Sequence, residues 1–186
     1  MVSRRNMLKT GLTAVFGVCS VQTASASEVQ QNSQNNFDVV ILGAGTGGLV
    51  TAIEAADLGL KPVVLEKMEC SAGNSLYASG GIAAWGTSQQ KEEGRNETKE
   101  SFREDMMKVS EYRADPALVD AYVNHIPEDF EWLKKQGVKF SKIGKKLWPL
   151  NYRMHNVDGQ GLTGGARLVR YLLEACNKRN IPIIYN

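Results

Sequence analysis

Residues Phe37 to Gly48 read FDVVILGAGTGG, and 18 positions after Gly48 stands Glu66, at the end of the apolar run Pro62 to Leu65. A β-branched run leads straight into Gly43, Gly45 and Gly48, the G-x-G-x-x-G spacing of a dinucleotide-binding turn. Each glycine answers a separate demand. Gly43 permits the tight strand-to-helix turn, Gly45 lets backbone approach a pyrophosphate, and Gly48 lets the helix lie close on the sheet. The helix N-terminus then offers unpaired N–H groups and the positive end of a dipole. The small and apolar residues Ala52 to Leu58 continue that helix, with Gly59 as its stop, and PVVL at 62–65 reads as a buried parallel strand. Glu66 lies close to the roughly 20-residue offset of an acid that accepts hydrogen bonds from ribose hydroxyls, and its charge disfavours a 2′-phosphate. The alternative is a βαβ unit with a Gly-rich turn and no ligand.

The N-terminus is built differently. Ser3-Arg4-Arg5-Asn6-Met7-Leu8-Lys9 precedes an apolar segment from Leu12 to Val21 and then Ala24-Ser25-Ala26. A basic region, an apolar core and an A-x-A site describe a cleavable export signal over residues 1–26. Its start resembles the twin-arginine signal S-R-R-x-F-L-K, with Met7 in place of Phe, so a periplasmic location is expected for an already folded protein. The apolar run is too short, and too rich in Gly, Thr and Ser, for a stable membrane span. Residues 27–36 (SEVQQNSQNN) are polar and without apolar periodicity, hence a linker.

The whole chain has a net charge of +2, but Arg4, Arg5 and Lys9 belong to the signal, which has no acids. Residues 27–186 therefore carry −1, and nothing points to nucleic acid. Cys19 falls in the signal; Cys70 and Cys176 show no framework spacing and read as buried free thiols. The only histidines, His125 and His155, have no metal partner at useful spacing, so no metal site is expected.

Cys70 to Thr87, CSAGNSLYASGGIAAWGT, is rich in small residues that let backbone lie flat against a planar ligand. Glu66-Lys67, Ala72-Gly73-Asn74-Ser75 and Ser79-Gly80-Gly81 follow the run E-K…G-G-N-S/T…S-G-G. Here the chain resembles the N-terminal part of the FAD-dependent fumarate reductase and succinate dehydrogenase flavoprotein family, whose soluble periplasmic members include flavocytochrome c fumarate reductases. Ala72 departs from the family's first glycine. The resemblance implies an α/β, Rossmann-like FAD-binding domain over residues 37–186. It implies that Gly43, Ala44, Gly45 and Thr46 line the pyrophosphate, with Gly48 completing the motif. Glu66 would hold the adenosine ribose, and Lys67 would sit at the adenine end. Asn74, Ser75, Gly80 and Gly81 would contact the phosphates and the isoalloxazine ring. Membrane-bound members attach FAD through a histidine six residues before the G-G pair; Asn74 stands there, so noncovalent FAD is expected.

Further on, residues 100–109 and 115–135 carry apolar side chains at helical spacing, and Asp115-Pro116 reads as a helix start. Trp132, Leu133, Gly137, Val138 and Phe140 resemble the family's W-L-x-x-x-G-V-x-F segment and read as core. Lys139, Lys142, Lys145 and Lys146 read as a solvated loop face. His125 reads as structural; for His155 a place near substrate or flavin stays open. A helix over 166–178 and a third strand over 181–185 close the chain. Family members are much longer, so the resemblance implies a partial domain without the capping domain. It also implies that no catalytic residue lies in this chain. The chemistry implied for the whole protein is hydride transfer from FAD to the C=C of a small unsaturated carboxylate. Electrons would come from a separate donor such as a cytochrome c. Two alternatives stay open: a 3-ketosteroid dehydrogenase-type oxidoreductase and a non-catalytic remnant.

Overall fold

The computed structural model describes residues 36–143 and 153–186. The expected signal, nearly all of the expected linker, and Lys145 and Lys146 lie outside the described residues. Strand β1 (Val39–Leu42) runs into helix α1 (Thr46–Asp57), and strand β2 (Pro62–Glu66) returns parallel to β1, with Val40 opposite Val63 and Leu42 opposite Leu65. Gly59 ends α1 as expected. Its φ is +82°, its N–H donates to Ala56 O and the next N–H, of Leu60, donates to Ala55 O, the paired bonds of a left-handed C-terminal cap.

A 3-10 turn (Gly73–Tyr77) and strand β3 (Gly81–Ala83) follow. Next come helices α2 (Ser88–Glu92), α3 (Lys99–Val109) and α4 (Pro116–Lys135). Asp115 caps α4 by accepting from Ala117 N–H at 2.8 Å, with Pro116 in its first turn. Strand β4 (Met154–Asn156) pairs antiparallel with β3, helix α5 (Gly164–Lys178) crosses back, and strand β5 (Ile183–Tyr185) adds parallel to β2. The sheet order is β1-β2-β5, the α/β arrangement anticipated.

Two element starts differ from expectation by two residues, the other bounds by one at most. Helix α5 begins at Gly164 rather than Ala166, because Thr163 caps it, accepting from Ala166 N–H at 3.0 Å. Strand β5 begins at Ile183 rather than Ile181: Ile181 N–H is spent on the α5 cap, donating to Cys176 O, and Pro182 has no N–H to give.

Ile41 and Val64 on one sheet face bury against Leu49 and Ile53 of α1 and Val169, Leu172 and Cys176 of α5. A second core joins α3 and α4 to β3 through Phe102, Val119, Val123, Ile126 and Phe130. Trp132 and Leu133 pack against the first core and Phe140 against the second, as expected for core aromatics. Cys176 is buried, but Cys70 is exposed. The reading of Cys70 as a buried thiol is therefore corrected: the chain leaves the sheet after Glu66 and carries Cys70 through a surface bend. On the opposite face Val63 is buried, but Val40 is 57%, Leu42 81%, Leu65 38% and Ile184 51% exposed.

Candidate functional site

The end of β1 and the start of α1 form a tight loop, and its three glycines do three different things. Gly43 has φ +98°, the left-handed region that favours glycine, and its N–H donates to Leu65 O at 2.8 Å, tying loop to strand β2. A Cβ on Gly48 would stand 1.9 Å from Gly43 O, so the first turn of α1 sits directly on the loop backbone. A Cβ on Gly45 would meet nothing closer than Ala72 O at 3.8 Å. There it would be in ordinary van der Waals contact with Ala72 O and with Ser75 Oγ at 3.9 Å.

Gly45 also borders a cleft of about 600 Å³ lined by Leu42, Gly43, Gly45, Leu65, Glu66, Lys67, Met68 and Gly73. It lies at the carboxyl ends of β1 and β2, where ligands of open α/β sheets bind. Glu66 forms its wall. The carboxylate is buried and accepts from Ala44 N–H at 2.7 Å and Met68 N–H at 3.0 Å. These backbone donors, Ala44 first, hold its pKa below the ordinary glutamate value against the cost of desolvation. An acceptor-only carboxylate thus stands beside the glycine loop, bonded to its Ala44 N–H, and both border one cleft. That pairing suits a ligand with hydroxyl donors at one end and phosphate acceptors at the other.

Gly43, Gly45, Glu66 and Lys67 meet at the cleft. Ala44 and Thr46 are in the same loop, and Ser75 Oγ accepts from Thr46 N–H at 3.3 Å. Asn74 is exposed, and neither it nor Gly80 and Gly81 lines this cleft. Gly80 has a packing reason to be glycine: its φ is +77° and a Cβ would stand 2.2 Å from Gly164 C. On the other side of the contact, a Cβ on Gly165 would stand 2.0 Å from Ser75 O. The segment 75–80 therefore lies on the N-terminus of α5 with no room for a side chain between them. Met68 and Gly73 at the cleft were not singled out from the sequence; the Gly73 signal was its place in the A-G-N-S run.

Of the two histidines, His125 is exposed on α4. His155 is fully buried, 3.0 Å from Thr87 Oγ1 through Nε2 and 2.7 Å from Arg153 O through Nδ1. The ring of Phe130 lies 4.4 Å away. His155 is thus a core residue of the β3–β4 layer, and burial pushes its pKa down. Arg153, 1% exposed, is paired with Glu97 and Asp105, both at 2.8 Å. Lys139 and Lys142 are exposed. Among the described residues there is no cluster of side chains suited to a metal ion, and no helix long and apolar enough to cross a membrane.

Residues 38–186 match the family described as the FAD binding domain. The chain is 34% identical over 152 residues to a fumarate reductase (cytochrome) of Shewanella frigidimarina, covering 82% of this chain and 26% of that protein. The structure of a 3-ketosteroid-Δ4-(5α)-dehydrogenase from Rhodococcus jostii RHA1 superposes with a TM-score of 0.71 at 26% identity, over 84% of this chain and 39% of that one. The open conformation of a flavocytochrome c3 fumarate reductase superposes with a TM-score of 0.68 at 25% identity, over 86% and 28%. The chain spans about a quarter of the length of the curated fumarate reductase.

Proposed function

From the membership of this chain in the FAD binding domain family, we propose that it is the nucleotide-holding part of a flavoprotein oxidoreductase of the fumarate-reductase type. The cofactor is FAD, and its adenosine and pyrophosphate lie in the cleft between Glu66 and the Gly43–Gly48 loop. The observation that carries this reading is the cleft of about 600 Å³ bordered by Gly43 and Gly45 of the loop, with the Glu66 carboxylate fixed at its wall.

In this reading the remaining lone pairs of Glu66 accept from the ribose hydroxyls, while the loop N–H groups and the α1 dipole face the pyrophosphate. Gly43 keeps the loop in shape and Gly48 keeps α1 against it. Lys67, exposed at the rim, lies toward the adenine. Asn74, Ser75, Gly80 and Gly81 carry the backbone onward toward the ring, and Asn74 cannot form a histidyl bond, so the cofactor is held noncovalently. FAD supplies the hydride chemistry when bound. This chain binds and orients it; no side chain here is assigned the proton.

For the whole protein the similarity to fumarate reductase supports transfer to the C=C of a small unsaturated carboxylate, with electrons from a separate donor such as a cytochrome c. The paired Arg4 and Arg5 and the A-x-A site support twin-arginine export to the periplasm, with residues 1–26 removed and 27–36 as a linker. The superposition on the ketosteroid dehydrogenase favours a second reading, oxidation of a 3-ketosteroid on the same FAD-binding frame.

Fluorescence titration with FAD tests the site. Glu66→Gln should weaken FAD binding about 10- to 100-fold, the loss of charge-assisted hydrogen bonds, while Lys139→Ala leaves it unchanged. Equal affinity for Glu66→Gln and wild type would remove Glu66 from the site. Anaerobic reoxidation of dithionite-reduced flavoprotein by fumarate, against a 3-ketosteroid, separates the two reaction classes.

A further inference from the structure

A second cavity, about 670 Å³ in volume, shares no lining residue with the glycine-loop cleft. Helix α1 lines it with Thr46, Val50 and Glu54, one residue from each of three successive turns. Helix α4 lines it along one face, from Tyr122 through Ile126 and Asp129 to Leu133. Two helices that merely crossed would each contribute a single turn. Lining at every turn makes the cavity a groove, about 12 Å long on α1 and about 16 Å on α4 at the rise of an α-helix. That is the span of about three turns of a third helix, and positions four and seven apart are those a helix offers to a neighbour laid beside it.

The floor of the groove is apolar. Val50, Trp132, Leu133 and Leu168 are half-buried and pack on the core shared by α1, α5 and the parallel sheet. Ile82 packs on the core of α3 and α4, and Ile126 belongs to that core. The groove therefore follows the seam between the two cores. Its rim is acidic: Glu54, Glu128 and Asp129 are exposed, and no lysine, arginine or histidine lines the groove. Among the described residues none of these three carboxylates has a hydrogen-bond or ion-pair partner. Arg179 senses Glu54 only at range, being held by Asp57 at 2.7 Å. Tyr122, whose hydroxyl donates to Ala83 O at 2.8 Å, lies in the same field; burial and then the Asp129 charge raise its pKa.

We propose that this groove docks an amphipathic helix of a separate protein, which lays an apolar stripe on Val50, Leu133 and Leu168 and sets lysines or arginines against Glu54, Glu128 and Asp129. Charge complementarity makes the partner basic. The two lining helices make it helical, since helix-in-groove recognition uses apolar anchors at i, i+3, i+4 and i+7. The unpaired rim points to a separate chain. Charges around an apolar floor speed a diffusional encounter, whereas a segment of the same polypeptide is already held at high effective concentration. The inference does not rest on the FAD reading.

The test titrates fluorescein-labelled peptides with the chain and follows anisotropy. One peptide is a lysine-rich helix with leucines at i, i+3, i+4 and i+7. A second has the same composition with the leucines spread around the helix, and a third has glutamate for lysine. The first should bind saturably and more weakly as salt rises, the other two about tenfold or more weakly still. Glu54→Gln, Glu128→Gln and Asp129→Asn combined should bind the first peptide about tenfold more weakly than wild type. The thermal midpoint of that variant should be unchanged, because none of the three acids has a partner in the fold. The same change of charge elsewhere, Glu92→Gln with Glu100→Gln and Glu111→Gln, should leave binding as in wild type. No saturable binding of the first peptide overturns the proposal. So does equal binding of the scattered isomer, or an equal loss in both charge variants, since either reduces the groove to a negative surface. Self-association of the chain that the rim variant abolishes would give the groove to a second copy instead.

Discussion

At the scale of single residues, Gly47 and Gly48 are neighbours in one helix with opposite tolerances. A Cβ on Gly48 would collide with Gly43 O at 1.9 Å, whereas one on Gly47 would meet nothing within 4 Å. Gly48→Ala should therefore lower the thermal midpoint through a loss of about 2–4 kcal/mol, as a backbone clash in a packed core does. Gly47→Ala should raise stability by about 0.5–1 kcal/mol, since alanine replaces glycine inside a helix. Equal melting behaviour of the two variants would contradict the close seating of α1 on its loop. The roles of Gly43, Gly45 and Gly48 were legible because each follows from local chain geometry and a fixed spacing. Glu66 was legible for the same reason, as the acid at the end of the next strand. The strained Ala72 was not: φ +116° at an alanine accompanies its bond to Ala44 O, a tertiary contact that no local propensity announces.

At the scale of elements, the β3–β4 pair shows why part of the site's surroundings could not be read in advance. Each strand has three residues and the two are more than 70 positions apart, so their pairing has no hydrophobic period to betray it. What fixes it is the buried network around His155. The Nδ1 of His155 has only carbonyl partners, Arg153 O and Ile82 O, so Nδ1 carries the proton and donates. Nε2 then accepts from the Thr87 hydroxyl, whose oxygen in turn accepts Gln90 N–H at the cap of α2. The imidazole is neutral in this network. Burial lowers its pKa, partly offset by the Arg153 and Ile82 carbonyls and by Glu93 and Glu131 at longer range.

A base with a depressed folded-state pKa contributes its full stability above the unfolded value, near 6.5. That stability is lost as pH falls through 6.5, because the unfolded chain gains the proton first. The thermal midpoint should accordingly fall between pH 7 and pH 5, and the part due to His155 should be absent in His155→Gln. An identical slope in that variant would place the sensitivity elsewhere. The Arg153 cluster escaped the sequence for a related reason. Glu97 and Asp105 reach it from a loop and from α3, contacts that only the tertiary fold creates.

At the scale of the whole molecule, one face of the parallel sheet is covered only in part among the described residues: Val63 is buried there, but its neighbours are not. Val40, Leu42, Leu65 and Ile184 are the exposed apolar side chains of that face, the last three aligned by the strand register. Their burial therefore contributes little to the stability of this chain. Leu42→Thr together with Ile184→Thr should shift the thermal midpoint by less than the equivalent of about 1 kcal/mol. The same pair should reduce binding of a hydrophobic dye and self-association, since exposed apolar patches promote both. A large loss of stability would show that this face is packed.

The glycine loop is the cofactor cradle only if a flavin nucleotide sits against it. Amide hydrogen exchange of the chain titrated with FAD measures it directly. Saturation at one FAD per chain, with protection concentrated in Gly43–Gly48 and around Glu66, is the result expected. Saturable binding with protection confined to other elements, or no saturable binding, would contradict the assignment of the glycine loop as the cofactor cradle.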